Sequence, residues 1–307
     1  MLIRGRLPSD VRGEEVKAEV DVTDFSYLGM RVRFVDGVVV LTMDGYEDDM
    51  LSDFTHLPPC ITPARRNLFE VGDTNVLCRE DREKFHTTVA KLLFYSLRVK
   101  PGILTAVSYL TTRVREPNED DMAKLMRVLG YVKHTKGQGI TLGRGDTTQV
   151  TGYVDAAFGC HDDGKSHTGT CIFLGDGCIY ARSCKQKIVT KDSTESEIVG
   201  ASDNVRTILC CSDFMSAQGS TMKTPKLKQD NRSAAGMMTT GAGKDRSKHM
   251  RVRKCLVKDY VDRGLLCIED TRSSMMCADG LAKPSQGALY RAHNDTICNN
   301  VVTNESD

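Results

Sequence analysis

Residues 150–158 read VTGYVDAAF, an apolar, strand-like run with one acid, Asp155, in its middle. Propensity disfavours aspartate there. Two more strand-like runs come after it, Gly169–Leu174 (GTCIFL) and Ile179–Arg182 (IYAR), joined by Gly175-Asp176-Gly177. The periodicity then changes. Residues 192–215 read as a helix, Lys226–Gln229 as a short strand, and a helix starts near Asn231. Lys248–Arg263 reads as a helix with Val252, Leu256, Val257, Tyr260 and Val261 inward; Leu265–Ile268 as a strand; Met275–Lys283 as a last helix. Three strands followed by alternating helices and strands predict an α/β fold, a mixed sheet with helices on its faces. From Arg291 the chain is polar and is expected to fray.

Upstream, Phe25–Phe34 and Val38–Met43 read as a strand pair turning at Asp36-Gly37. Three helical patterns come next. Glu83–Val99 carries Phe85, Val89, Leu92, Leu93 and Leu97 on one face, Ile103–Val114 comes after Pro101-Gly102, and Asn118 is placed to cap a helix that turns Met122, Leu125, Met126, Leu129 and Val132 inward. Residues up to about 148 hold no tight cluster of catalytic residue types.

A chain of 307 residues predicts two domains. With 42 Lys+Arg against 41 Asp+Glu, any nucleic-acid surface must come from local segregation of charge. The 12 cysteines form no CxxC pair, which argues for reduced thiols in an intracellular, non-secreted protein rather than a zinc site. The opening MLIRGRLPSDVRGEE lacks the apolar core of a secretion signal, and no apolar run is long enough to span a membrane.

Four carboxylates stand out. Asp155 is either a strand-end residue facing solvent or a buried ligand. Glu197 lies in STESEIVG, where Thr194-x-x-Glu197 and Asp192-x-x-Glu195 both have capping-box spacing. Asp230 could cap the helix it precedes, and Asp279 could lie on a solvated helix face. Strand ends and helix starts of an α/β sheet can also gather on one edge. Four carboxylates there would repel one another unless cations neutralised them. Hard cations such as Mg²⁺ take oxygen ligands, and two of them roughly 4 Å apart can activate a water and stabilise a leaving oxygen in phosphodiester cleavage.

The blocks GYVDAAFG (152–159), SHTGTCIFLG (166–175), STESE (193–197), DNRSA (230–234), SKH (247–249) and ADGLAKP (278–284) resemble the ribonuclease H domain of copia-type LTR retrotransposon Pol polyproteins, in that family's order. Upstream, FSYLG (25–29) resembles the primer-grip hairpin that follows a polymerase palm. Leu92-Leu-Phe-Tyr95, AVSYL (106–110) and RVLGYVK (127–133) resemble the helices linking polymerase to ribonuclease H. The resemblance implies a ribonuclease H-like five-stranded mixed sheet with flanking helices, preceded by a hairpin-plus-helices remnant of the reverse transcriptase thumb and connection. The expected domains are 1–148, the end of a reverse transcriptase; 149–290, the ribonuclease H; and 291–307, a polar tail. It also implies a catalytic, metal-binding tetrad of Asp155, Glu197, Asp230 and Asp279 holding two Mg²⁺ ions, with Mn²⁺ as a substitute. Glu197 rather than Glu195 aligns with the family's glutamate.

The implied reaction is hydrolysis of the RNA strand of an RNA–DNA hybrid, with selectivity drawn from 2′-hydroxyls. Residues 244–258, KDRSKHMRVRKCLVK, hold seven Lys/Arg that are either a solvated face or a phosphate-binding one. The resemblance places Asn231, Ser233, Lys248, His249, Arg251 and Arg253 on the hybrid. His249 is expected to pack rather than act as a base, and His161 and His167 are given no role. The sequence departs from the family at Phe158, often Trp, at Cys255, often His, and in having no His between Ile268 and Asp279, so a water must protonate the leaving group. The alternative function is a decayed or repurposed element that binds nucleic acid without cutting it. An integrase-like order of Asp, Asp, Glu does not fit. Other expected partners are the missing polymerase portion or a related Pol chain.

GYEDDML (45–51) carries the Tyr-x-Asp-Asp of a polymerase palm, but the pattern around it is helical rather than strand-like. Tyr46, Met50, Leu51 and Phe54 share a face, Asp44-x-x-Glu47 has capping-box spacing, and only 44 residues precede Gly45. Polymerase activity is therefore not expected.

Overall fold

The computed structural model of the chain describes residues 23–242 and 248–299. Strands β1 (Asp24–Tyr27), β2 (Met30–Val35) and β3 (Val38–Thr42) form an antiparallel meander. Phe25–Phe34, expected as one strand, is two. Leu28 and Gly29 both take positive φ, 50° and 79°, and reverse the chain, as Asp36 and Gly37 do at the expected turn. Two positive-φ residues make the turn whose twist matches paired strands. Leucine conceals the first of these turns in the sequence.

Helix α1 (Asp44–Ser52) contains the Tyr-x-Asp-Asp motif. Asp48 and Asp49 point outward to Lys136 and Lys91, at 2.5 and 3.2 Å. The expected Asp44–Glu47 capping box is absent, because Met43 occupies the cap and Glu47 is buried. Glu47 instead accepts the Tyr95 hydroxyl and, at 2.8 Å, the Gly137 N–H.

Helices α2 (Arg79–Ser96), α3 (Leu104–Thr111) and α4 (Glu119–His134) surround one core, in which Phe85, Val89, Leu92, Val107, Leu125 and Val128 are fully enclosed. α2 starts earlier than expected and leaves Leu97 exposed; a 3₁₀ turn at Pro101–Ile103 shortens α3. α4 has the expected cap: Asn118 Oδ1 accepts the Asp121 N–H at 2.9 Å and Asp121 Oδ2 accepts the Asn118 N–H at 3.1 Å. Strand β4 (Ile140–Leu142), too short to stand out in the pattern, adds to β3 and completes a four-stranded sheet.

The second sheet has the order β7-β6-β5-β8-β9. β5 (Val150–Ala157), β6 (His167–Leu174) and β7 (Gly177–Lys185) are antiparallel; β8 (Lys226–Gln229) and β9 (Cys267–Asp270) run parallel to β5. α5 (Ser193–Ala217) covers one face, packing Ile198, Val205 and Ile208 on Val150, Val154 and Leu227. α6 (Arg232–Thr240) and α7 (Lys248–Asp262) join that layer. Val252, expected inward on α7, is exposed. The Met275–Lys283 helix shrinks to α8 (Asp279–Ala282), preceded by a 3₁₀ turn at Ser273–Met275.

Where a polar tail is expected from Arg291, the chain is helical as α9 (Gly287–Cys298). Its few apolar residues are far apart in sequence but turn inward. Tyr290 enters the core of the first half, and Ile297 packs with Leu104, Phe173, Met276 and Leu281 on the other face of the second sheet. Gln286 Nε2, just before α9, donates to Ala64 O at 2.8 Å. Among the described residues no helix is long and apolar enough to cross a membrane.

Candidate active site

Asp155 lies near the end of β5, the central strand, and is 4% exposed. Strand alternation puts Thr151, Tyr153 and Asp155 on the face toward α8. Gly169 is the register partner of Asp155 on β6, and a Cβ there would lie 2.3 Å from Ala278 O. Only glycine lets the start of α8 settle flush beside Asp155. On the opposite face a Cβ at Gly152 would lie 2.4 Å from the Ile208 side chain, so α5 also seats close.

Glu197 comes from the second turn of α5. Capping there falls to Asp192, which accepts the Glu195 N–H at 2.9 Å, while Glu195 Oε2 accepts the Lys191 N–H at 3.0 Å. Glu197 is thereby left for the sheet: it accepts the Ala156 N–H at 3.2 Å and Gln229 Nε2 at 3.3 Å. Asp230 comes directly after β8. It too is released from capping, since Asn231 Oδ1 accepts the Ala234 N–H at 3.0 Å; Asp230 Oδ2 accepts the Ser273 hydroxyl at 2.8 Å. Carboxylate oxygens of Asp155, Glu197 and Asp230 lie within 4.8 Å of one another. This is the one such group among the described residues, and Asp279 is not part of it. Asp279, at the first position of α8, is ion-paired with Lys283 one turn on.

Burial pushes the Asp155 carboxyl up to about 7; the Lys283 ammonium opposes this, while Asp279 and Asp230 add to it. Burial, and then the nearby Asp155, raises Glu197 well above its ordinary value. Asp155 Oδ2 is buried with no hydrogen-bond partner. Clustered hard oxygen donors, mutual repulsion and an orphaned carboxylate oxygen are what a divalent cation of the Mg²⁺ type would satisfy, so these residues fit such an ion.

The other expected contact residues divide. Ser233, Lys248, His249 and Arg251 are exposed. Asn231 is the α6 cap, and Arg253 is drawn inward, donating to Ser202 Oγ at 2.7 Å and pairing with Asp203. Positions 244–247 of the basic stretch lie outside the described residues.

Some residues gain roles that sequence reasoning missed. His161 Nε2 lies 3.0 Å from His167 Nδ1, His167 Nε2 lies 2.7 Å from Ser183 Oγ, and Ser183 donates to Leu281 O at 2.7 Å. Burial lowers the two histidines, His161 to about 4 and His167 to about 3, so a neutral chain anchors the α8 backbone. Their polar loop gave no sign of this. Lys283 could have been found from its i,i+4 spacing to Asp279.

A mixed sheet of this strand order and direction, with acids converging at the ends of its central strands, defines a ribonuclease H-like α/β domain. No protein-family model matches the chain. The Pol polyprotein of transposon RE1 from Arabidopsis thaliana is 28% identical over 201 residues, 65% of the chain and 14% of that polyprotein. The secreted RxLR effector protein 161 of Plasmopara viticola is 30% identical over 118 residues, 38% of the chain and 83% of that protein. Among solved structures, RNase H1 from Halobacterium salinarum NRC-1 is 17% identical, with a TM-score of 0.32 over 44% of the chain and 94% of the enzyme. Retrovirus-related Pol polyproteins of transposons are thus among the homologues of the chain, which spans about a seventh of their length.

Proposed function

We propose that residues 149–290 are a ribonuclease H domain that cuts the RNA strand of RNA–DNA hybrids, and that residues 1–148 are the end of a copia-type reverse transcriptase without its polymerase centre. The convergence of Asp155, Glu197 and Asp230 carries this reading. With Asp279 they would hold two Mg²⁺ ions, or Mn²⁺ in their place, which supply an activated water and stabilise the leaving oxygen. The chain's own groups hold this set in place. The Ala156 N–H and Gln229 fix one oxygen each of Glu197, and Ser273 fixes Asp230. Ser233 and the exposed Lys248, His249 and Arg251 face outward to take hybrid phosphates. The polymerase portion of a Pol chain is the protein partner this reading calls for, in a reducing intracellular setting such as cytoplasm, virus-like particle or nucleus, consistent with free thiols.

The test is cleavage of a labelled hybrid with Mg²⁺. Wild type should cut the RNA strand and Asp155→Asn should not; cleavage surviving in Asp155→Asn would remove the site assignment. One contact favours a second reading, binding without cutting: Lys283 already pairs with Asp279. Wild-type protein that binds hybrid and leaves it intact would establish that reading instead.

A further inference from the structure

A cavity of about 430 Å³ lies between α9 and the sheet face that carries Asp155. Its floor is laid out by strand register. Phe173, Thr151 and Lys226 form one row across β6, β5 and β8; Cys171, Tyr153 and Lys228 form the next; Gly169 and Asp155 lie in the third. The floor therefore climbs toward the acid cluster, Tyr153 standing about 7 Å along the strand from Asp155.

On the α9 side the wall includes His293, only 5% exposed, with neither ring nitrogen hydrogen-bonded. A Cβ at Gly280 would lie 3.0 Å from His293 Cβ, so the imidazole rests against the α8 backbone one residue from Asp279. A buried imidazole carries a donor and an acceptor, and leaving both unused is unfavourable unless an occupant meets them. The rest of the lining narrows the choice of occupant. Tyr153 and Phe173 meet edge to face with centroids 5.6 Å apart and offer aromatic surface. Lys226 and Lys228 share one counter-ion, Glu269, each at 2.7 Å, so the β8 side of the cavity is positive, while the acid in its lining, Asp176, stands away from them in the turn between β6 and β7. An aromatic wall, a hydrogen-bonding edge and a positive β8 side suit a planar heterocycle joined to a phosphate.

We infer that this cavity binds a single nucleotide unit, its base against Tyr153 and Phe173 with an edge on His293, and its phosphate at Lys226 and Lys228. The choice of nucleotide rests on the ribonuclease reading, under which a nucleic-acid strand lies at the adjoining acids.

The test uses the full chain in EDTA, titrated with AMP, UMP and, separately, inorganic phosphate, and read by calorimetry and by NMR of the histidine rings. Both mononucleotides should bind saturably and shift the His293 ring signals, at least tenfold more tightly than phosphate. His293→Phe should weaken binding tenfold or more. Thr296→Trp should do the same from the exposed rim without lowering the melting temperature, which covers the case in which His293→Phe fails to fold. Asp155→Asn should keep mononucleotide binding while abolishing hybrid cleavage, so the two readings can fail separately. The inference is overturned if neither mononucleotide binds, if phosphate binds equally well, or if Thr296→Trp leaves binding unchanged.

Discussion

Asp155 is stabilised as an acid and destabilised as an anion until a cation arrives. Its folded value of about 7 stands above the usual ~4 of an exposed aspartate, so the folded state binds the proton more tightly than the unfolded one. The metal-free protein should then lose stability as pH rises from about 4 through 7, with Glu197, also raised, adding to the loss. Melting curves in EDTA should show this slope in wild type and a shallower one in Asp155→Asn. Under the proposed function Mg²⁺ would replace the proton, so its affinity should climb over the same window with proton release, measurable by calorimetry in two buffers of different ionisation heat. Gln229→Ala frees one oxygen of Glu197 and should weaken Mg²⁺ binding about 10-fold or more. The three acids that the fold brings together, Asp155, Glu197 and Asp230, were legible from their motif blocks, whereas Asp279, expected with them, stands apart beside Lys283. What the sequence left open was whether they capped helices, and the neighbours Asp192 and Asn231 hold those duties. His293 was missed because its place against α8 is set by packing, whereas the pairing of Lys283 with Asp279 is local and was there to be read from the i,i+4 spacing.

At the scale of elements, two glycines test how the layers seat. Gly169→Ala meets α8 backbone and should cost about 2–3 kcal/mol in chemical denaturation, with loss of cleavage. Gly152→Ala meets the flexible end of Ile208 and should cost about 1 kcal/mol. Equal costs would mean that α8 does not press on the sheet. Strands β5 to β7 were legible because apolar runs and turn residues coincide there. α4 was legible through its cap. α9 was not, because Tyr290, His293 and Ile297 stand among polar residues and their burial depends on two cores meeting at that helix.

At the scale of the molecule, hybrid binding should be strongly salt-dependent, and Lys248→Ala and Arg251→Ala should each lower the log–log salt slope by about 1, whereas Arg253→Ala, tied to Asp203, should act through stability instead. Ending the chain at Gln286 removes the buried Tyr290 and Ile297 and should lower the melting temperature by roughly 10 °C.

α9 touches both halves: Tyr290 donates to Gly102 O at 3.3 Å on one side and Ile297 packs with Phe173 and Leu281 on the other, while Thr105 of α3 donates to Gly280 O of α8 at 2.8 Å. The amides of α3, α8 and α9 should therefore open together as a single cooperative unit in hydrogen exchange. The helices of the first half thus serve as a splint for the sheet that carries the acids, and separating the two at residue 148 should leave each half slower to fold and quicker to be digested.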